Sequence, residues 1–177
     1  SETVFEKAIC SLGISNTDTV IVYDKSDIPT AARAWWMFRT MGHTNVYMLD
    51  GGYKKWVAEN RPVTTKIPQP SLSAYEAAFN NALFQNAEII LNNLRTQHEQ
   101  LVDARAEGRF NGTTPEPRAG LRSGHIPGAK NLPFTRLYKG DGTLKEANAL
   151  RAIFKDLSLD LNAPIITSCG SGVTACN

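Results

Sequence analysis

Pro164-Ile-Ile-Thr-Ser168 is an apolar, β-branched run that passes without a break into Cys169-Gly-Ser-Gly-Val-Thr174. A run this short and this apolar has the character of a strand covered on both faces, as in parallel sheets flanked by helices. Open α/β sheets bind ligands beyond the carboxyl ends of their strands. A cysteine followed by two glycines at such an end therefore bears on both fold and chemistry. Thr19-Val-Ile-Val-Tyr23 has the same buried-strand character, and a polar loop through Pro29 follows it.

Helical spacing fills the intervals. Val4, Phe5, Ala8, Ile9 and Leu12 share one face of a predicted helix over 3–12, with Thr3 and Glu6 as a capping-box start and Gly13 at its close. A second helix is expected over 30–41, ended by Gly42. Residues 46–49 are a predicted strand, and Asp50-Gly51-Gly52 leads from it to a short helix over 53–58. From Asn60 to about Ala74 the composition turns to Pro62, Pro68 and Pro70 among Thr, Ser and Gln, the signature of a semi-extended linker. Beyond it come a helix from the cap Asn86 to Arg95, strands at 100–103 and 129–132, and a helix over 144–157. That last helix gathers Leu150, Ile153, Phe154 and Leu157 on one face. Strand–helix alternation with short loops predicts an α/β fold, an open parallel sheet with flanking helices. The chain divides into 1–60, a linker over 61–85, and 86–177.

The 177 residues are 42% hydrophobic and 20% charged, which excludes disordered and fibrous classes. Nineteen basic and 17 acidic residues, mixed along the chain, form neither a nucleic-acid stripe nor a polybasic membrane patch. No apolar run approaches the ~18 residues of a membrane span, and residues 1–7 lack the charged and apolar regions of an export signal. Cys10, Cys169 and Cys176 are at no zinc spacing, which disfavours a disulfide scaffold and a structural metal. The expectation is a protein without metal or cofactor in a reducing, cytoplasmic compartment, or a mitochondrial one if a leader precedes the chain.

Two glycines beside Cys169 let successive backbone N–H groups turn inward as an anion nest, which would lower the pKa of a central thiol and steady a persulfide or oxyanion. The same residues also fit a buried strand-end cysteine with an ordinary Gly-rich turn. Cys10 reads as a small apolar core residue, and Cys176 as at most a second redox thiol. Gly108-Arg109-Phe110 and Pro115-Glu-Pro-Arg118 bring two guanidinium groups into the long irregular connection between the strands at 101 and 129. Arg forks suit an α-keto acid or a thiosulfonate, although solvated arginines or an Arg109–Glu107 pair fit as well. His125, in Gly124-His-Ile-Pro-Gly-Ala129, reads as a residue that holds a turn rather than as a general base. His43 and His98 have no evident role. A cysteine phosphatase loop needs an Arg six residues after its Cys, and Ala175 stands there.

Taken together these motifs resemble the rhodanese superfamily, specifically its tandem-domain 3-mercaptopyruvate sulfurtransferases. The resemblance rests on Cys169-Gly-Ser-Gly-Val-Thr-Ala175, preceded in family order by Asp103-Ala-Arg105, Gly108-Arg-Phe110, Pro115-Glu-Pro-Arg118 and Gly124-His-Ile-Pro-Gly-Ala129. Val20 to Asp24, Arg33-Ala-Trp-Trp36 and Leu49-Asp-Gly-Gly52 extend it over nearly the whole chain. Thiosulfate-specific relatives usually carry a basic residue where this chain has Gly170.

The resemblance implies a sulfurtransferase with Cys169 as nucleophile and persulfide carrier. Arg109 and Arg118 would hold the substrate carboxylate and keto oxygen; Gly170, Ser171, Gly172, Val173 and Thr174 would form the cradle, with Ser171 also assigned to catalysis. It implies 3-mercaptopyruvate as substrate and thioredoxin, small thiols or cyanide as acceptors. A thiosulfate sulfurtransferase and an inactive rhodanese-like binding module are the alternatives. Asp24 stands at the first domain's equivalent of Cys169, so that half is expected to be non-catalytic. The family's Ser, His and Asp relay draws its His and Asp from a part of the first domain absent here. The expectation is thus two incomplete rhodanese-like domains, 1–60 and 86–177, inactive as a 177-residue chain.

Overall fold

The computed structural model describes residues 1–26 and 29–177, so residues 27 and 28 of the expected polar loop lie outside the described residues. The chain forms two compact units, Ser1–Phe84 and Gln85–Asn177.

The first unit runs α1 (Glu2–Ser11), β1 (Val20–Val22), α2 (Ala31–Thr40), β2 (Val46–Met48) and α3 (Gly52–Ala58). β1 and β2 pair in parallel, Val20 opposite Val46. Phe5 and Ile9 of α1 and Phe38 of α2 meet Val20, Val46 and Tyr75 in one core. Phe5 contacts Phe38 and Tyr75 edge-on at 5.3 and 5.8 Å between centroids, the arrangement that ring quadrupoles favour.

Two expectations change here. Thr3 lies inside α1, which starts after Ser1 with no side-chain cap. Glu6, expected in the capping box, instead binds the strap of residues 73–80, its Oε1 accepting the Ala77 N–H at 2.9 Å, and Glu2 Oε1 accepts that of Phe79 at 2.8 Å. The buried character of Thr19–Tyr23 holds for Val20 and in part for Val22. Ile21 is 60% and Tyr23 58% exposed, because among the described residues nothing covers one face of this two-stranded sheet.

The proline-rich segment has two parts. Residues 61–72 are exposed, whereas residues 73–80 lie along α1 and α2. The Ser73 N–H donates to the Cys10 carbonyl and that of Ala78 to Met41. Buried His43 pins the strap, its Nδ1 3.1 Å from the Tyr75 hydroxyl and its Nε2 3.1 Å from the Asp18 carbonyl.

The second unit contains α4 (Ala87–Thr96), β3 (Gln100–Asp103), α5 (Glu107–Phe110), β4 (Lys130–Asn131), α6 (Ala147–Asp156) and β5 (Ile165–Ser168). Its parallel sheet has the order β4-β3-β5. Asn86 caps α4 as expected, its Oδ1 accepting the Ile89 N–H at 3.0 Å. Ile153 of α6 is buried with Val102, Leu132, Leu137 and Leu159, and Leu150, Phe154 and Leu157 pack around them. Burying a side chain such as Ile153 stabilises by roughly 1.5–3 kcal/mol. α6 begins later than expected because Leu144 instead bridges antiparallel to Tyr138. Gly108 to Phe110, expected to be irregular, is the single helical turn α5.

Candidate active site

Parallel pairing decides which residues meet. Asp103 at the end of β3 stands opposite Ser168 at the end of β5, and the Ala104 N–H donates to the Ser168 carbonyl at 2.9 Å. The segments Ala104-Arg105 and Cys169-Gly170 therefore leave the sheet side by side at its carboxyl end, where α/β sheets place their ligands.

Cys169 is half-buried at the start of its loop. Gly172 adopts φ 71°, a left-handed conformation suited to glycine, and its N–H donates to the Cys169 Sγ at 3.0 Å. Burial pushes the thiol pKa up. It is outweighed by hydrogen bonds from the Thr174 hydroxyl and from the backbone N–H groups of Ser171, Ala175 and Gly172, so the pKa falls below its ordinary value. The expected anion nest is thus present around this sulfur, formed by backbone donors and one hydroxyl. Ser171 serves through its main chain, since its side chain is exposed.

Beside the nest lies a buried ionic chain. Asp103 accepts from Arg105 Nε and Nη2 at 3.0 and 2.6 Å. Arg105 Nη1 donates to Glu116 Oε1 at 2.7 Å, and Arg105 Nη2 to the Gly124 carbonyl at 2.7 Å. Glu116 then receives Arg109 Nε on Oε1 at 3.2 Å and Arg109 Nη2 on Oε2 at 2.5 Å. Arg109 foremost, then Arg105, hold the Glu116 carboxyl below the ordinary carboxylate range despite its burial. Hydrogen bonds and charge from Asp103, reinforced by Glu116, raise the Arg105 pKa against the effect of burial. A Cβ on Gly170 would collide with the Arg109 guanidinium, so residue 170 must be glycine for Arg109 to lie against the cysteine loop as it does.

The structure thus brings Cys169, Gly170, Ser171, Gly172, Thr174 and Arg109 together. Val173 turns its carbonyl to the Cys176 N–H. Arg118 is exposed and makes no hydrogen bond or ion pair among the described residues. The partner of Arg109 is Glu116, not Glu107, because the loop after α5 folds back over that helix. His125 is a turn-holder: its Nδ1 lies 2.8 Å from the Phe110 carbonyl and its ring stacks on Phe110 at 3.6 Å. Asp103, Arg105 and Glu116 were not singled out from sequence. Their signal was the pairing of acid with base within Asp103-Ala-Arg105 and Glu116-Pro-Arg118. At the corresponding strand end of the first unit, the Asp24 carboxylate accepts from the Thr30 hydroxyl and the Ala31 N–H at 2.9 and 2.6 Å. The start of α2 is thus occupied by the chain's own carboxylate. Among the described residues no cluster of three or more His, Cys, Asp or Glu could hold a metal ion, and no helix is long and apolar enough to cross a membrane.

This chain is similar to known proteins. Thiosulfate sulfurtransferase of Rattus norvegicus is 46% identical over all of this chain, which spans 61% of that relative. The 3-mercaptopyruvate sulfurtransferase of Mus musculus is 43% identical over 94% of this chain and 57% of its own length. Among solved structures, SseA from Escherichia coli, described as a 3-mercaptopyruvate sulfotransferase, superposes with a TM-score of 0.86 at 37% identity. It covers 98% of this chain and 64% of SseA. The Tum1 protein of Saccharomyces cerevisiae gives 0.88 at 30% identity, over 99% of this chain and 64% of Tum1. The chain thus spans about three fifths of the curated relatives it matches. The model of a rhodanese-like domain matches residues 2–59 and 86–177, on both sides of the proline-rich segment. The parallel α/β sheets, the strand-end cysteine loop and these matches agree: the chain belongs to the rhodanese family.

Proposed function

We propose that the whole protein transfers sulfur from 3-mercaptopyruvate, through a persulfide on Cys169, to a thiol or cyanide. The observation that carries this reading is the thiol itself, its pKa lowered by Gly172, Ser171, Ala175 and Thr174 at the end of β5, with Arg109 against the next residue. In the first step the thiolate attacks the sulfur of 3-mercaptopyruvate. The carbon–sulfur bond breaks, its electron pair leaves on the enolate of pyruvate, and that enolate takes a proton. In the second step an acceptor thiolate, on thioredoxin or a small thiol, or a cyanide ion attacks the outer sulfur, and the S–S electron pair returns to Cys169.

Gly170 favours the keto acid. With no side chain there, the cation nearest the loop is the Arg109 fork, which suits a planar carboxylate. The similarity to proteins named thiosulfate sulfurtransferase supports thiosulfate as the second reading. In intact mass spectrometry of the whole protein, 3-mercaptopyruvate is expected to add one sulfur atom to Cys169. No adduct on wild type, or the same adduct on Cys169→Ser, overturns the proposal. An adduct from thiosulfate alone selects the second reading.

A further inference from the structure

Arg109 is held by the carboxylate of Glu116, whose side chain is only 4% exposed and bridges Arg109 to Arg105. A guanidinium has five N–H donors in a fixed fork. Glu116 takes the Nε donor and one Nη2 donor of Arg109. That occupies the side edge of the fork and leaves three donors, including a parallel pair on the end edge formed by Nη1 and Nη2. Nη2 is also the atom nearest to where a Cβ of residue 170 would stand. Nη2, which keeps one of the three remaining donors, therefore lies against the cysteine loop, with Glu116 Oε2 3.7 Å from the same point. Glu116 is in turn anchored through Arg105 to Asp103, itself 2% exposed at the end of β3. Two carboxylates and two guanidinium groups alternate, so the chain is neutral within itself, and Arg109 at its end is fixed in orientation before any substrate arrives.

We infer that Glu116 is a positioning residue: it clamps the Nε–Nη2 edge of Arg109 so that the donors left on Nη2 and Nη1 meet the carboxylate of the sulfur donor beside Cys169. The inference rests on the proposed sulfur transfer from a keto acid, and it adds a residue that never touches the substrate. Fixing a long side chain in advance removes an ordering cost that binding would otherwise meet. The clamp acts on donor binding, and the reactivity of the thiol is left to Gly172 and Thr174.

The test uses the whole protein and the substitution Glu116→Gln, which keeps the shape and removes the charge. KM for 3-mercaptopyruvate is expected to rise about tenfold with kcat changed far less, the pattern of a lost contribution to substrate binding. In an Arg109→Lys background the same substitution should add almost nothing, because Glu116 acts through Arg109. Removing a negative charge without any positioning role makes the site more positive and lowers KM for an anion. An unchanged or lowered KM, or additive effects in the double variant, overturns the inference.

A second readout is independent of the natural substrate. Iodoacetate and iodoacetamide both alkylate thiolates and differ in carrying a carboxylate or a neutral amide, so their rates at Cys169 can be compared. Glu116→Gln should reduce the preference for iodoacetate and leave the iodoacetamide rate unchanged; a preference that stays the same or increases refutes the clamp. If wild type ignores 3-mercaptopyruvate, the functional proposal fails while this ratio still decides the role of Glu116. Glu116→Asp, which withdraws the charge by one methylene, carries the same readouts should the Gln variant not fold.

Discussion

Cys169 titrates under opposing influences, burial against four hydrogen bonds, and the largest of the bonds comes from the Thr174 hydroxyl. Hydrogen bonds to a thiolate favour the charged form, so losing one raises the pKa and leaves less thiolate at neutral pH. Thr174→Val keeps the side-chain shape and deletes that donor. The pH midpoint of Cys169 alkylation by iodoacetamide should move upward, and the rate at pH 7 should fall several-fold; a midpoint that stays or moves down would exclude the hydroxyl as a thiolate donor. At this scale the sequence was readable wherever a residue's role depends on its chain neighbours. Two glycines beside a strand-end cysteine already allow a nest, because main-chain donors are supplied by local φ and ψ. Glu116 was not legible, because its value comes from Arg105 and Arg109, eleven and seven positions away, and only the fold brings the three together. Arg118, the second guanidinium expected at the site, is exposed in its loop.

Elements were legible in proportion to how much of their stabilisation is local. α4 has its signal in Asn86, which accepts the Ile89 N–H as an N-cap should. The loss of that cap in Asn86→Ala is expected to cost about 0.5–2 kcal/mol, the range for N-cap removal. Chemical denaturation of the whole protein measures it, and an unchanged free energy would show that α4 is held by packing alone. α1 teaches the opposite lesson. Thr3 and Glu6 have capping-box spacing, yet Glu6 is committed to the Ala77 N–H, 71 positions away, and the helix starts earlier. A non-local donor overrode the local motif. α5 is one turn long, too short for any periodicity to show. It forms because the Thr114 N–H returns to the Gly108 carbonyl and the His125 ring covers Phe110, contacts six and fifteen positions along the chain that helical spacing does not record. β1 and β2 were placed correctly while their burial was not. An apolar run records what a strand is suited to have against it, and the described residues supply cover for only one face.

For the molecule as a whole, surface area distinguishes two well-covered domains from two open ones. The chain exposes 11840 Å², whereas two separate compact domains of half its mass would together expose about 10,000 Å² by the usual scaling. Part of the difference is apolar and has a definite location. Ile21 and Tyr47 are register partners on the β1–β2 sheet, 60% and 56% exposed, and Tyr23 beyond them is 58% exposed. Parallel sheets are ordinarily covered on both faces, and paired strands with an open apolar face invite association with another copy. The 177-residue chain should therefore self-associate as its concentration rises. Sedimentation velocity is expected to show weight-average mass increasing across the micromolar range, and Ile21→Lys, which places a charge in the middle of that face, should return it toward the monomer. Far-ultraviolet circular dichroism matching that of the unmodified chain would confirm that the substitution acts on the surface and not on folding. A monomer at all concentrations, or association indifferent to Ile21→Lys, would mean that this face does not drive assembly and that the excess area lies in the exposed proline-rich segment at 61–72.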